Sequence, residues 1–283
     1  MFPESLRFNI APYIDTFVEW LKIVCAPAFK IFSQTLLSIL LKIEAGLLFI
    51  PWWMWIVAVI ALCWWQTRRP VYSLGLGALL MTIGLFGLWT VTMKTLAIII
   101  ASVAISLLLG IPLGIAMAES NRFNFILTPL LDAMQTMPSF VYLIPALMFF
   151  DLGKVPAIVA TVIYALPPVI RLTNLGIRQV SATIQEAALA FGATRWQLMR
   201  EVRLPLAMPS IMAGINQTTM MALAMVIIAS MIGAGGVGEK VLIATNHLAV
   251  GDGFEAGWAI VVLAILIDRL TQALAQKWKV PQQ

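Results

Sequence analysis

The stretch "QEAALAFGATRWQLMREVRLPLAMPS" (185–210) lies in the longest loop between apolar runs in the second half of the chain. It begins as a helix. Glu186 near the N-terminal end suits the helix dipole, and Ala187, Ala188, Leu189 and Ala190 are good helix formers. Gly192 permits a sharp turn, Thr194 can cap a second helix over "TRWQLMREV", and Leu204-Pro205 is expected to end that helix before the next apolar run. A short helix of small residues has the form of a docking element: its alanines allow close approach to a partner groove, and Arg195 and its neighbouring arginines offer charged contacts at the rim.

The surroundings of this loop decide the fold class. The 283 residues are 61% hydrophobic and 11% charged, against about 45–50% and about 25% in water-soluble domains. So little charge cannot clothe a water-facing surface. Solid runs of roughly 20 apolar residues indicate an all-α polytopic membrane protein, and the alternating segments of a barrel are lacking. The net charge of +5 reflects basic loops facing the cytoplasm rather than a nucleic-acid partner. Cys25 and Cys63 have no metal or redox spacing. "MFPESLRFNI" (1–10) has no basic cluster before an apolar core, so no cleavable signal peptide is expected.

Residues 1–44 place Asp15, Glu19 and Lys22 opposite Phe17, Trp20, Leu21 and Val24, which predicts an amphipathic helix lying at a membrane interface, a region that Lys42 and Glu44 close. About seven transmembrane helices are expected after it, near 45–66, 71–91, 95–118, 129–150, 155–173, 207–232 and 256–275, the third kinked near Pro112. The loops on one side hold Arg68, Arg69, Arg122, Arg171, Arg178, Arg195, Arg200 and Arg203, and the C-terminal end adds Arg269, Lys277 and Lys279. The other side holds Lys94, Lys154 and Lys240. This asymmetry places the 174–206 loop and the C-terminus in the cytoplasm and the N-terminal tail outside.

Glu186, Ala187, Ala188, Gly192, Val202, Leu204 and Pro205 reproduce E-A-A-x3-G-x9-V-x-L-P, which resembles the EAA loop of ABC importer permeases. "LLDAMQTMPSFVYLIPALMFF" (130–150), "YALPPVIRLTNLGIRQV" (164–180), "LPLAMPSIMAGINQT" (204–218) and "ILIDRLTQ" (265–272) look like permease subunits of glycine betaine, proline betaine and choline importers. The similarity covers about 92–275. Permeases for proline, histidine or another amino acid share such stretches, so the class is better fixed than the solute.

The resemblance implies a type I ABC importer (MetI-like) permease core over 92–275, with two accessory helices at 45–91, an outside-facing tail at 1–44 and a cytoplasmic tail at 276–283. It implies a bacterial inner (cytoplasmic) membrane location and a second permease copy as homodimer partner. It also implies cytoplasmic ABC ATPase subunits that hold the coupling helix, and an extracytoplasmic substrate-binding protein. No cofactor is expected in this chain; ATP and Mg belong to the ATPase partner, so the chain has no catalytic residues and is not an enzyme. The coupling contact is assigned to Glu186, Ala187, Ala188, Gly192, Arg195, Val202, Leu204 and Pro205.

Other features carry two readings each. Asn216, Gln217, Thr218 and Thr219 sit within the sixth span and either line the pathway or bond a neighbouring helix. Met220 and Met221 are pathway candidates against core filling, and Pro138 and Pro145 free backbone carbonyls along a cavity or merely kink for packing. Gly110 and Gly114 form a helix-packing G-x-x-x-G. Asp132, Arg171 and Asp268 read as interfacial charges, and the single histidine, His247, as an outer-loop residue. No acidic residue sits securely mid-membrane, which disfavours an ion-coupled secondary transporter. "GAGGVGEK" (233–240) contains G-x-G-x-x-G, but Glu239 separates Gly238 from Lys240 and Val241 replaces the Ser or Thr of a phosphate loop. Gly233, Gly235, Gly236 and Gly238 therefore read as a tight outer turn closing the sixth span.

Overall fold

The computed structural model describes residues 9–276. The described chain is helical throughout. Helix α1 spans Ala11–Phe49, α2 Trp52–Thr67, α3 Pro70–Leu85 and α4 Trp89–Glu119. The chain continues with α5 at Asn121–Thr136, a 3-10 turn at Ser139–Tyr142, α6 at Leu143–Phe150 and α7 at Lys154–Arg178. The last part comprises α8 (Ala182–Ala190), α9 (Arg195–Gln197), α10 (Leu204–Ala229), α11 (Val237–Asn246) and α12 (Val250–Gln276).

The centre is α7, packed between α4 and α10. Small residues make these approaches possible. A Cβ on Gly114 would stand 2.8 Å from Ile170 O and 2.6 Å from Thr173 Cβ, and Gly110 lies against Val169, so the G-x-x-x-G is a packing face of α4. Gly214 meets α7 backbone in the same way, its Cβ falling 3.2 Å from Val169 Cα. Around this centre, Leu36, Leu40 and Leu47 of α1 join Met93, Ala97 and Ile98 of α4 in one buried cluster. The α2–α3 hairpin packs through Val59, Cys63, Leu80 and Ile83 onto Ala259, Val262 and Leu266 of α12. There Trp258 Nε1 donates to Thr82 Oγ1 at 2.8 Å.

Among the described residues, five helices are by length and composition apolar enough to cross a membrane, or six if one bent pair counts as a span; about seven are expected from the sequence. Three differences account for this. First, α1 runs 39 residues without a break through position 45 and passes the crossing criterion itself. Lys42 and Glu44 do not mark a boundary, because Glu44 is buried and bonded to Lys154 Nζ at 2.5 Å. Second, the expected first span divides at Ile50-Pro51: Ile50 is extended (φ −75°, ψ 122°), as steric conflict with the following proline ring favours. The resulting α2, like α3, has 16 residues, about 24 Å at 1.5 Å per residue against a hydrocarbon core of about 30 Å. Third, the expected fourth span is two segments, Asn121–Thr136 and Ser139–Phe150, bent by 111°. The break falls at Met137-Pro138, where Met137 is again extended before a proline. By contrast α4 continues through Pro112 and α7 through Pro167 and Pro168.

The candidate coupling site

The 181–205 segment folds as a helical hairpin. α8 starts after Ser181, whose carbonyl accepts from Gln185 N at 3.2 Å. It closes where Gly192 N donates to Leu189 O at 2.9 Å and Ala193 N to Ala188 O at 3.1 Å. Gly192 has φ +86°, a conformation that glycine takes without a Cβ penalty. Thr194 then caps the second limb in a reciprocal box. Gln197 N donates to Thr194 Oγ1 at 3.3 Å, and Thr194 N to Gln197 Oε1 at 2.8 Å.

The second limb does not end where the sequence suggests. Leu204-Pro205 does not terminate it: the chain passes through a π-helical turn at Leu198–Arg203 straight into α10. Pro205 stands at the start of α10, where its missing N–H falls in the wide turn instead of interrupting regular i→i−4 bonding.

The two limbs have opposite surroundings. Leu198 and Met199 are buried; Met199 packs with Ile177, Ala207 and Ile211, backed by Ile111 and Ile115 of α4. α8 has no buried residue. Glu186, Ala187, Leu189 and Ala190 are exposed, Phe191 at the tip is 95% exposed, and Trp196 is 70% exposed beside Arg195. Ala188, Val202 and Leu204 are half-buried. The motif thus forms an apolar knob with charged neighbours on an anchored stalk. Phe191 and Trp196 were not among the motif residues that the sequence singled out. Their signal was available, as aromatic residues flanking a glycine turn in a polar loop.

The pathway candidates are not gathered into one place within a single chain. Successive residues of α10 point about 100° apart. Asn216 donates Nδ2 to Asp268 Oδ1 at 3.4 Å and accepts from Thr271 Oγ1, both on α12. Gln217 lies on an open face, and Thr218 is buried with its hydroxyl donating to Ala165 O of α7 at 2.9 Å. Met220 and Met221 are half-buried; Pro138 and Pro145 are exposed on the bent α5–α6 segment. Asp132 and Arg171 pair across α5 and α7, and His247 is exposed beyond α11.

The glycine turn is built as a close-packed reversal. Gly233, Gly235 and Gly236 have φ of +89°, +75° and +102°. Val237 N donates to Thr95 Oγ1 of α4 at 2.9 Å, and Gly236 and Gly238 lie too close to Thr95 and Ile227 O to admit a Cβ. The turn leads into α11, a ten-residue helix not anticipated in the sequence. Among the described residues, no group of three or more His, Cys, Asp or Glu side chains could hold a metal.

The family of binding-protein-dependent transport system inner membrane components matches residues 110–280, a range that contains the whole hairpin. The chain belongs to this family. It is a permease subunit of an ABC importer, and ATP hydrolysis resides in a separate subunit. The permease is 45% identical over 273 residues to the glycine betaine transport system permease protein OpuAB of Bacillus subtilis, covering 96% of each chain. It is 48% identical over 235 residues to the glycine betaine/carnitine transport permease protein GbuB of Listeria monocytogenes, covering 81% of this chain and 83% of that one. Inward-facing structures of the MetNI methionine ABC transporter superpose with a TM-score of 0.61 at 20% identity, covering 68% of the permease and 96% of that chain. That likeness speaks for a shared fold.

Proposed function

We propose that the permease moves glycine betaine, or a related quaternary ammonium solute, inward across the bacterial cytoplasmic membrane, driven by ATP hydrolysis in partner subunits docked on the 185–205 hairpin. The observation that carries this reading is the hairpin's asymmetry. One limb is buried against α4, α7 and α10, while Glu186, Phe191 and Trp196 are presented outward. A surface that is apolar at its tip, polar at its rim and rigidly rooted suits a groove on another protein.

In this scheme the docked hairpins follow the ATPases as they close on ATP and Mg, and two permease copies exchange inward and outward access as rigid bodies. An extracytoplasmic binding protein delivers the solute. The arginine-rich loops and the C-terminus lie in the cytoplasm; the N-terminal segment and the glycine turn face outside, with α1 lying along the outer face instead of crossing, as its contacts of Phe29 with Phe150 and Glu44 with Lys154 suit. The choice of solute rests on the relatives that transport glycine betaine; a trimethylamine N-oxide transport system permease protein of Ruegeria pomeroyi, 36% identical over 251 residues, extends the same chemistry to another methylated zwitterion. Asn216, Gln217, Thr218, Met220 and Met221, with Pro138 and Pro145, remain the proposed pathway residues, completed by the second copy.

The test is uptake into liposomes holding the permease with its ATPase and binding protein, using radiolabelled glycine betaine, choline, carnitine, trimethylamine N-oxide and proline. ATP-dependent accumulation of glycine betaine, with the isolated permease hydrolysing no ATP, is the expected result. Accumulation of proline alone would replace the quaternary ammonium reading with an amino-acid one.

A further inference from the structure

The C-terminal end of α4 is gripped by two arginines from different elements. Arg178, in the last turn of α7, donates Nη2 to Met117 O at 2.7 Å, Nη1 to Asn121 Oδ1 at 2.8 Å and Nε to Asn174 Oδ1 at 2.8 Å. Asn174 Nδ2 in turn donates to Asn124 Oδ1 at 2.8 Å. This network sews α7 to the α4–α5 corner.

Arg203, in the π-helical turn, reaches the same end of α4 from the hairpin. Its Nη1 donates to Glu119 Oε1 at 2.5 Å and its Nε to Gln185 Oε1 of α8 at 2.7 Å. Gln185 is itself fixed, donating Nε2 to Val180 O at 2.7 Å. One guanidinium therefore ties the docking helix to the last residue of α4 by separate donors, a fork geometry that lysine lacks. Neither Arg203 nor Glu119 belongs to the EAA pattern. α8 has no fully buried side chain, and Ala188 is its one half-buried apolar residue; the Arg203–Gln185 bond is a directed link from α8 toward α4.

We propose that Arg203 is a positioning residue for coupling: it makes α8 and α4 move together, so that displacement of the docked hairpin reaches the membrane helices as one rigid movement. The inference rests on the coupling role proposed above. Without the strut, α8 tilts on its glycine turn while α4 stays in place, and ATP turnover is no longer converted into transport.

The test uses the full complex in liposomes and measures ATP hydrolysis and radiolabelled glycine betaine uptake together. Arg203→Ala and Glu119→Gln are expected to keep hydrolysis within about twofold while solute moved per ATP falls about fivefold or more, the lower range of ordinary coupling between sites. Arg203→Lys, which keeps charge for Glu119 but loses Gln185, is expected to fall between. Combining Arg203→Glu with Glu119→Arg, which restores the ion pair but not the bond to Gln185, is expected to recover part of the ratio lost in Arg203→Glu and Glu119→Arg singly. An unchanged ratio in both single variants overturns the proposal, as does a double variant no better than its parents. Loss of the ATPase from purified Arg203→Lys complex also overturns it, since that makes the residue a matter of assembly. If the wild-type complex shows no ATP-driven uptake at all, the proposed function itself has failed, which is a separate outcome.

Discussion

Gly192 illustrates how one residue sets the shape of the docking tip. A Cβ there would meet nothing within 4 Å, so space does not require glycine; the φ of +86° does. Any other residue must either carry strain of about 1–3 kcal/mol or straighten the turn and re-aim the exposed Phe191. Gly192→Val is therefore expected to insert and assemble while uptake per ATP falls, and Glu186→Lys to do likewise by reversing charge at the rim. Simultaneous measurement of hydrolysis and uptake checks both, and normal coupled uptake in the two variants would count against docking through this hairpin. The turn and cap at Gly192 and Thr194 were legible in the sequence because their chemistry is local, acting over three or four positions. Arg203 was not: its partner Glu119 lies 84 residues away, and no local pattern announces a contact that only the folding of α4 beside α10 creates.

At the scale of elements, close helix approach decides stability. Gly114 faces the backbone of α7 at Ile170, so Gly114→Val must push α4 and α7 apart or leave side chains off their preferred rotamers. Overpacking of this kind typically costs about 1–3 kcal/mol, and it should appear as a lower unfolding temperature of the detergent-purified permease. Gly46→Ala is the matching control, since a Cβ there meets nothing; its unfolding temperature should stay level or rise slightly. The long apolar elements were readable from hydropathy alone, which is why α4, α7, α10 and α12 lie where apolar runs predict them. The failures share a cause. Hydropathy averages over about twenty residues, whereas Ile50-Pro51 and Met137-Pro138 break the chain at one peptide. Pro112, Pro167 and Pro168 are equally conspicuous in sequence yet sit inside continuous helices, because tertiary packing selects which prolines become corners.

For the whole molecule, the N-terminal helix is joined to the core rather than appended to it. Leu36, Leu40 and Leu47 are buried against α4, and Glu44 meets Lys154 at the start of α7. The pair is largely removed from solvent on the Glu44 side, where removing one partner would leave the other charge uncompensated. Sequence reading took the charges near position 44 as the edge of an interfacial segment; in three dimensions they are a cross-link between distant parts of the chain. The α2–α3 hairpin is held by α12 and by the Trp258–Thr82 hydrogen bond. It also meets α1, where Trp55 Nε1 donates to Leu47 O at 3.2 Å, and Trp55 and Trp89 pack against both buried clusters.

The π-helical turn at Leu198–Arg203 has a consequence of angular phase. Because the second limb of the hairpin is continuous with α10, the direction in which Phe191 and Trp196 face is indexed to the α10 axis, as teeth on a shaft. Deleting one residue from this turn would rotate everything before it by about 100° about that axis, taking Met199 off its buried cluster and turning the knob to a different azimuth. A permease with such a deletion is expected to insert with its membrane helices intact yet fail to retain its ATPase on co-purification. Restoring one residue elsewhere in the same turn should bring the ATPase back, since what the partner meets is set by the phase of the shaft.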